Sequence, residues 1–217
     1  MEIIAKVEKN KISMYSFIKR IFDIVISIIA IILLIPISIF IKILFIISKD
    51  FGPIFFVQDR IGKNGRIFKI YKYRTMNKNA EEELIQILKN NKKLNEEYTL
   101  NKKLKYDPRV TRIGRALRKS SIDELPQFIN VLKGEMSFVG PRPYLLTEKD
   151  EMKDYFDVIT SIKPGITGKW QVSGRNNLSF KDRIRIDSNY CKSKNLIEDI
   201  KIVLLTIIKV IIKEGAN

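Results

Sequence analysis

Residues 112–143 read RIGRALRKSSIDELPQFINVLKGEMSFVGPRP, and this stretch decides how the chain is organised. At its centre lie two adjacent carboxylates, Asp123 and Glu124. Cations precede the acid pair, and Arg142 follows it in a turn that two prolines stiffen. The preceding cations are Arg112, Arg115, Arg118 and Lys119.

Proline and glycine set the expected helix boundaries around the acid pair. Pro126 is tolerated in the first turn of a helix and disfavours the α conformation at Leu125. We therefore expect a new helix to begin at or just before Asp123. The same helix should end at Gly134, a residue type that suits the position after a helix.

The acid pair has two physical interpretations, and the local pattern leaves both open. Ser121 to Glu124 fits a capping box, and acids at a helix N-terminus are each favourable by about 0.3–1 kcal/mol. In the second interpretation, the helix end and nearby cations keep a carboxylate ionised as a nucleophile. Arg112, Arg115 and Arg118 would then hold the phosphate that it attacks.

The amino-acid composition limits the partners, catalytic groups and metal ligands that can be expected. The 217 residues contain 40 Lys and Arg against 24 Asp and Glu, a formal charge of +16, so an anionic partner is expected. There is no His, which leaves proton transfer and metal binding to carboxylates. Cys191 is the one cysteine, which excludes an intrachain disulfide, and we expect it to be buried.

An apolar run from Ile24 to Ile41 predicts a membrane helix within a first segment, residues 1–50, that begins with a basic leader. Lysine and arginine flank the run on both sides, so the positive-inside rule favours neither orientation. Pro36 lies inside the run, where it removes a backbone donor. These facts favour a re-entrant helix that breaks at Pro36, with both ends cytoplasmic. The alternative is a Pro-kinked transmembrane helix.

A β-hairpin is predicted next. Asn64-Gly65 is a strong tight-turn signal, and the flanks 54–61 and 66–75 are rich in β-formers. On the second strand, the two-residue period puts Lys72 and Arg74 on one face, from which either could reach a phosphate.

The remaining chain is predicted to be mostly helical. We expect one exposed helix within residues 77–106 and an amphipathic helix over Tyr144 to Ser161. Gly168 to Arg175 is expected to form a loop, and a helix over Phe180 to Tyr190 should follow it. Residues 196–213 have the pattern of an interfacial helix, with lysines beside an apolar stripe.

The ordered motifs resemble the bacterial sugar transferase family, the monotopic phosphoglycosyl transferases, from Tyr15 onward. The residues that carry the resemblance are Lys19 to Asp23, the run with Pro36, Phe55 to Gly62, Lys72 to Met76, Asp107 to Arg112, Ser121 to Asn130, Gly134 to Pro143, Pro164 to Gly168 and Gln171 to Arg175.

The resemblance implies a two-step transfer at the cytoplasmic face of the bacterial inner membrane. Asp123 would attack the β-phosphate of a UDP-sugar, expel UMP and form a phosphosugar intermediate. A polyprenyl phosphate, typically undecaprenyl phosphate, would then take the sugar phosphate, as the first membrane step of surface polysaccharide or glycoconjugate synthesis. The implied fold is mixed α/β and mostly α. The re-entrant helix and the hairpin would accompany a catalytic domain over residues 51–217, with the interfacial helices around it.

The resemblance also assigns site residues. It implies Mg²⁺ at Glu124 and Asp123, because this hard ion takes carboxylate and phosphate oxygens. Cations near the phosphates and residues near the nucleotide complete the expected site. They are Lys72, Arg74, Arg112, Arg115, Arg118 and Arg142, with Gln171 and Arg175 in the loop near the nucleotide.

Three positions depart from the family pattern. The membrane helix has Ile35-Pro36 where the family has Ser-Pro, so no hydroxyl at that position assists the break. Glu135 stands where Asp is common, and Trp170 falls one place later than the usual Trp, either of which could alter donor preference. No multi-helix segment precedes the motifs, so the sequence resembles the minimal form of the family.

Two other functions would account for part of the pattern. A membrane-tethered basic protein would account for the charge by binding anionic lipid, but no nucleic-acid module or aromatic-basic platform is recognisable, so no nucleic-acid partner is expected. A glycosyltransferase that moves the sugar alone would release UDP instead of UMP. The sequence leaves open which sugar is carried and whether the protein forms a homodimer.

Overall fold

The computed structural model describes the backbone of residues 2–174 and 178–212, and the side chains of these ranges from Met14 onward. The described elements follow one another in ten helices and four strands. The helices are α1 Glu2–Ile47, α2 Ala80–Asn90, α3 Lys92–Asn101, α4 Arg112–Lys119, α5 Gln127–Lys133, α6 Lys149–Met152, α7 Phe156–Thr160, α8 Lys169–Val172, α9 Phe180–Ser193 and α10 Leu196–Ile211, and the strands are β1 Phe55–Ile61, β2 Ile67–Tyr73, β3 Ser137–Val139 and β4 Gly165–Thr167.

Helix α1 contains the predicted membrane segment. Its portion Met14–Ile47 is long and apolar enough to cross a membrane, and most of its large hydrophobic side chains are exposed. The helix continues through Pro36, so the predicted break in the helix is absent. A proline removes one donor from the hydrogen-bond ladder, and the turns on either side keep this helix continuous here. The re-entrant path through the bilayer stays a prediction.

One face of α1 is buried against the rest of the chain. The buried side chains follow one another at intervals of four or seven residues, which is the spacing of a single helical face. Near the start of this face, Asp23 accepts hydrogen bonds from the Ser137 hydroxyl and the Phe138 amide of β3. The five buried residues on this face are Asp23, Ser27, Leu34, Ile41 and Phe45.

The predicted hairpin is confirmed. Strands β1 and β2 pair antiparallel from Phe55 opposite Tyr73 to Ile61 opposite Ile67. Asn64 and Gly65 both have positive φ, 56° and 74°, which explains why the tight turn requires this dipeptide. Along β2, Tyr73 contacts α1, where its hydroxyl lies 2.6 Å from Ser38 Oγ. Lys72 therefore faces the opposite side of the hairpin.

A second small sheet brings two loops together. Strands β3 and β4 pair in parallel, Ser137 opposite Gly165 and Val139 opposite Thr167. At the end of β3, a side chain on Gly140 would meet the Lys163 carbonyl oxygen at 2.6 Å. The absence of a side chain therefore allows the segment after β3 to lie against the segment that leads into α8.

Helix α4 packs directly on the backbone that follows β2. A Cβ atom on Gly114 would lie 1.9 Å from the Thr75 carbonyl oxygen, so no other residue fits. The Thr111 amide donates to the same carbonyl at 3.0 Å, and the Thr111 hydroxyl caps α4 by accepting from the Gly114 amide at 2.9 Å. These contacts fix the acid pair, which follows α4, relative to β2.

The structure corrects several predicted boundaries. Asp123 lies in a 3₁₀ turn, Ile122–Glu124, and α5 begins three residues after that turn, because Pro126 sits at its N-cap. The predicted end at Gly134 is confirmed, with φ of 83°. The single helix predicted over residues 144–161 is wrong: Lys153 has φ of 45° and divides it into short helices and turns. Two helices, α2 and α3, occupy the region where one was predicted.

The C-terminal helices are confirmed within the described residues, but the predicted loop from Gly168 to Arg175 is wrong in part, because Lys169–Val172 forms the short helix α8. Helix α9 includes the predicted helix, and Cys191 on it is buried. Helix α10 turns Asp199 and Ile202 inward and leaves a row of large apolar side chains exposed, the amphipathic pattern expected of it. Its position in a membrane surface stays a prediction.

Replacing Gly114 tests the contact between α4 and β2. We expect Gly114→Ala to destabilise the protein by about 1–3 kcal/mol, because the added methyl group overlaps backbone that cannot rotate away. The measurement is the thermal midpoint of detergent-solubilised protein. Ala116→Gly, on the exposed side of the same helix, should cost about 0.5–1 kcal/mol. A Gly114→Ala midpoint at or above that of the wild type would contradict this packing.

Candidate active site

Most of the predicted site residues line one large cleft. Its volume is about 1090 Å³, and the hairpin, α4, the acid turn and the loops beside β3 and β4 all contribute to its walls. The predicted site residues that line it are Lys72, Arg74, Arg118, Asp123, Glu124, Arg142 and Gln171. Residues that are far apart in sequence therefore share one cavity.

The acid turn does not form the predicted capping box. Ser121 has φ of 56° and makes no capping hydrogen bond, and the N-cap of α5 is Pro126, which has no side-chain acceptor. The capping-box interpretation is therefore wrong. Asp123 is 9% exposed and lines the cleft together with Glu124. A carboxylate in this position can act on a molecule bound in the cleft.

Lys72 is the cation of β2 that reaches the acid turn. Its Nζ lies 3.2 Å from Glu124 Oε1, and both side chains are partly exposed, by 27% and 28%. An ion pair with this much exposure contributes at most about 1 kcal/mol to stability. The pair therefore matters for placing positive charge beside the carboxylates, where a phosphate would need it.

Arg118 supplies a second cation from α4. Its Nε donates to the Thr75 hydroxyl at 3.0 Å, in the segment where α4 packs on β2. Burial lowers the pKa of Arg118, and the nearby Asp123 carboxylate opposes that change. The guanidinium remains charged at neutral pH, since an arginine begins from a pKa above about 12.

Arg142 lines the same cleft, in the segment that follows β3. Its backbone amide donates to Asp187 Oδ2 at 2.9 Å, and one guanidinium nitrogen lies 3.7 Å from Glu148 Oε1. The guanidinium carbon is 5.7 Å from the centre of the Trp170 ring, a cation–π distance. Next to that ring, Gln171 donates to the Ile166 carbonyl at 3.1 Å.

Arg74 lies at the border of the cleft, and its role toward a phosphate stays a prediction. Although it borders the cleft, its guanidinium donates to the Pro53 and Met76 carbonyls and to Asp50, and it stacks on Phe45 of α1. These three hydrogen bonds use three of its five N–H donors. Arg74 therefore holds the end of the hairpin against α1.

Two other predicted residues within the described ranges are not brought to the cleft. Arg112 and Arg115 lie on α4 but do not line it. Arg175 lies outside the described residues, so its place stays a prediction.

Sequence reasoning did not assign Arg60 to the site. This arginine lines the cleft and donates to the Pro143 carbonyl at 3.0 Å and to Gln58 at 2.6 Å. Burial and the neighbouring Arg142 lower its pKa to about 10. The available signal was the alternation of Gln58 and Arg60 on β1, which puts both on the same face of the hairpin.

The donor set of the cleft fits a hard divalent cation. Among residues 14–174 and 178–212, no group of three or more His, Cys, Asp and Glu side chains is placed to hold a metal ion. Asp123 and Glu124 are adjacent and line the same cavity. Mg²⁺ is commonly held by one or two carboxylates, with substrate phosphates and water as its other ligands. The acid turn could supply that share of the ligands.

The described fold has one long apolar helix and a large cleft that contains an acid pair and several cations. Residues 14–213 match the bacterial sugar transferase family, and the chain belongs to this family. The family resemblance read from the motifs is thereby confirmed.

Three relatives show what this chain is similar to. The undecaprenyl-phosphate galactose phosphotransferase of Salmonella typhimurium is 43% identical over 200 residues, which are 92% of this chain and 42% of that protein. The exopolysaccharide production protein ExoY of Sinorhizobium fredii is 42% identical over 198 residues, 91% of this chain and 87% of ExoY. A UDP-N-acetylgalactosamine-undecaprenyl-phosphate N-acetylgalactosaminephosphotransferase of Aeromonas hydrophila is 37% identical over 209 residues, 94% of this chain and 46% of that protein. The chain thus spans less than half the length of two of these relatives.

The buried carboxylate behind Arg142 gives a pH test of the site. Complete burial raises the pKa of Asp187 to about 7. Because the folded protein then binds this proton more tightly than the unfolded chain, stability should fall as pH rises from about 4 to about 7, by on the order of 2–4 kcal/mol.

Thermal midpoints at pH 5 and pH 8 measure this effect. The difference between the two midpoints should be smaller in Asp187→Asn than in the wild type, while Asp157→Asn, at an exposed position, should leave it unchanged. An identical difference in all three proteins would contradict the raised pKa of Asp187.

Proposed function

We propose that this protein transfers a sugar-1-phosphate from a UDP-sugar to a polyprenyl phosphate, typically undecaprenyl phosphate, and releases UMP. The observation that carries the proposal is the cleft that unites the Asp123-Glu124 turn with Lys72, Arg118 and Arg142 in a member of this family. The names of the relatives from Salmonella and Aeromonas, which specify undecaprenyl-phosphate sugar phosphotransfer, support the same reaction class.

The proposed reaction has two steps at one phosphorus atom. A carboxylate oxygen of Asp123 attacks the β-phosphorus, the bond from that phosphorus to the bridging oxygen breaks, and UMP leaves with the electron pair. An oxygen of the polyprenyl phosphate then attacks the same phosphorus of the phosphosugar-aspartyl intermediate. Asp123 leaves as a free carboxylate, and the product is the polyprenyl-diphosphate sugar. Two steps allow one site to receive a soluble donor and a lipid acceptor in turn.

The cations of the cleft have a common role in this scheme. Lys72 and Arg118 interact with the acid turn, and Arg142 lines the same cleft. Fixed positive charges that surround a transferring phosphoryl group stabilise the charge that develops there. Glu124, with Asp123, would hold Mg²⁺, which when bound supplies further charge neutralisation on the donor diphosphate.

The exposed apolar surfaces agree with a membrane site. Helix α1 exposes most of its large hydrophobic residues, and α10 exposes a second apolar face. A lipid acceptor would reach the cleft from the membrane, and a nucleotide-sugar would reach it from water. The cytoplasmic face of the inner membrane, where UDP-sugars are made, is the proposed location. Surface polysaccharide or glycoconjugate synthesis is the proposed purpose.

Replacement of Asp123 tests the covalent step. With Mg²⁺, a panel of UDP-sugars and no lipid acceptor, the intact wild-type protein should gain the mass of one sugar phosphate. Asp123→Asn should gain none and should lose at least about a thousandfold in turnover, because an amide is a poor nucleophile. The control Asp157→Asn, exposed on α7, should be labelled like the wild type. Substantial turnover by Asp123→Asn would exclude Asp123 as the nucleophile, and release of UDP would indicate transfer of the sugar alone.

Removal of divalent cations tests the proposed metal. Excess chelator should stop UMP release, and added Mg²⁺ should restore it, because the charge on the donor diphosphate would otherwise be incompletely neutralised. The assay measures UMP from wild-type protein with donor and polyprenyl phosphate. Full activity in excess chelator would remove the metal from the proposal.

A further inference from the structure

A buried carboxylate lies directly behind the Arg142 turn. Asp187, on α9, is 0% exposed. Its Oδ2 accepts one hydrogen bond from the Arg142 amide and another from the Tyr144 hydroxyl, both at 2.9 Å. One carboxylate oxygen therefore binds two residues of the segment that leaves β3, across 45 positions of sequence.

The turn contains a single backbone donor that could be held in this way. Pro141 and Pro143 flank Arg142 and have no N–H, so the Arg142 amide is the one donor between them. Carbonyl groups secure the two ends of the turn: Pro141 accepts from the Gly165 amide at 2.8 Å, and Pro143 accepts from Arg60 at 3.0 Å. Asp187 holds the middle of the turn by accepting a hydrogen bond from the amide of Arg142.

The Arg142 side chain is held loosely by comparison. Its nearest carboxylate oxygen, on Glu148, is 3.7 Å away, beyond an ordinary hydrogen bond. Its Nε is buried and has no hydrogen-bond partner among the described residues. A guanidinium with such weak contacts depends on its backbone for its position, and an incoming phosphate could satisfy the remaining donor.

Asp187 lies near several titratable side chains of neighbouring elements. Arg142 and Arg183 lie near it as cations and Glu148 as a second acid, while Tyr144 and Cys191 are the other titratable groups that face it. Asp187 Oδ1 is buried and has no hydrogen-bond partner within the described ranges. The carboxylate does not line the cleft, so its influence on a ligand there is indirect, and Arg142 is the lining residue to which it is hydrogen-bonded.

We infer that Asp187 is a positioning residue for the donor: by holding the Arg142 amide, it fixes the Arg142 guanidinium where the diphosphate of the nucleotide-sugar binds. The inference rests on the proposed function for the identity of the donor. It differs from a purely structural role, in which Asp187 would stabilise α9 without affecting the binding of a phosphate.

The chain offers a matched control for that difference. Asp199 is also buried and also accepts from a tyrosine hydroxyl, that of Tyr190, at 2.6 Å. Its other partners are Tyr15 and Lys19 of α1, so its hydrogen bonds join α10 to the membrane helix instead of to the cleft. Asp199→Asn likewise replaces a buried, hydrogen-bonded aspartate, but one that is paired with Lys19 and does not contact the Arg142 turn.

The experiment measures binding of UDP in the presence of Mg²⁺ by titration calorimetry of the detergent-solubilised full chain. UDP carries the diphosphate common to all the proposed donors, and binding does not require turnover. We expect Asp187→Asn to weaken UDP binding by about tenfold, and Asp199→Asn to leave it within about twofold of the wild type. In Arg142→Ala, the further change Asp187→Asn should have no added effect on UDP binding, because the two residues act in series.

Once a donor is known, steady-state kinetics provide a second test of the role of Asp187. Asp187→Asn should raise the donor KM by about tenfold and leave kcat and the acceptor KM within about threefold. Wild-type affinity for UDP in Asp187→Asn, or effects of Asp187→Asn and Arg142→Ala that add in full, would overturn the inference. A wild-type protein that binds UDP but releases no UMP would instead refute the proposed function.

Discussion

The two-residue period of strand β2 is the constraint on which the site depends. Successive side chains of a strand point to opposite faces, so Lys72 reaches Glu124 while Tyr73 reaches α1. Adjacent residues of β2 therefore contact the acid turn in the cleft and helix α1. Immediately after the strand, Thr75 receives α4 at Gly114, which sets the acid turn against Lys72. A shift of the hairpin by one residue would exchange the two faces and separate the carboxylates from their cation.

Buried aspartates join distant parts of a chain that has no histidine. Asp23 joins α1 to β3, Asp187 joins α9 to the Arg142 turn, and Asp199 joins α10 to α1. Each accepts two or more hydrogen bonds from amides, hydroxyls or a lysine, which offsets the cost of burying the carboxylate. The small sheets cannot supply a large shared core, and the apolar contacts fall into several separate clusters. Hydrogen bonds to these buried aspartates therefore help to determine how the helices and strands pack together.

Sequence predicted the features that local physics determines. Asn64-Gly65 fixed the hairpin, Gly134 marked the end of α5, and the apolar patterns of α1 and α10 were recognisable without a structure. The motifs also indicated Lys72, Arg118 and Arg142, and the structure brings all three to the cleft that holds the acid pair. The break at Lys153 was missed because no proline or glycine marks it, and only tertiary contacts select its positive φ.

Other parts of the site have no local signature. In the sequence, Asp187 is an ordinary polar residue of an amphipathic helix. Its hydrogen bond to the Arg142 amide depends on the packing of α9 behind the Arg142 turn. Arg74 had the residue type and predicted strand position of a phosphate ligand, but its hydrogen bonds to Asp50 and two carbonyls had no signal in the sequence. The capping pattern at Ser121 failed because that residue adopts a left-handed conformation, which aims the acid turn into the cleft instead of along α5.

Helix α1 is attached to the rest of the protein at two places along its buried face, and the helix fixes the distance between them. Near its start, Tyr15 and Asp23 are bonded to α10 and β3, and further along, Ser38 and Phe45 meet the hairpin and Arg74. One extra residue between Ser27 and Leu34 would turn the following part by about 100° and advance it by about 1.5 Å. Only one of the two attachments could then form. The number of residues in this interval therefore has to match both the helical phase and the distance between the two attachments.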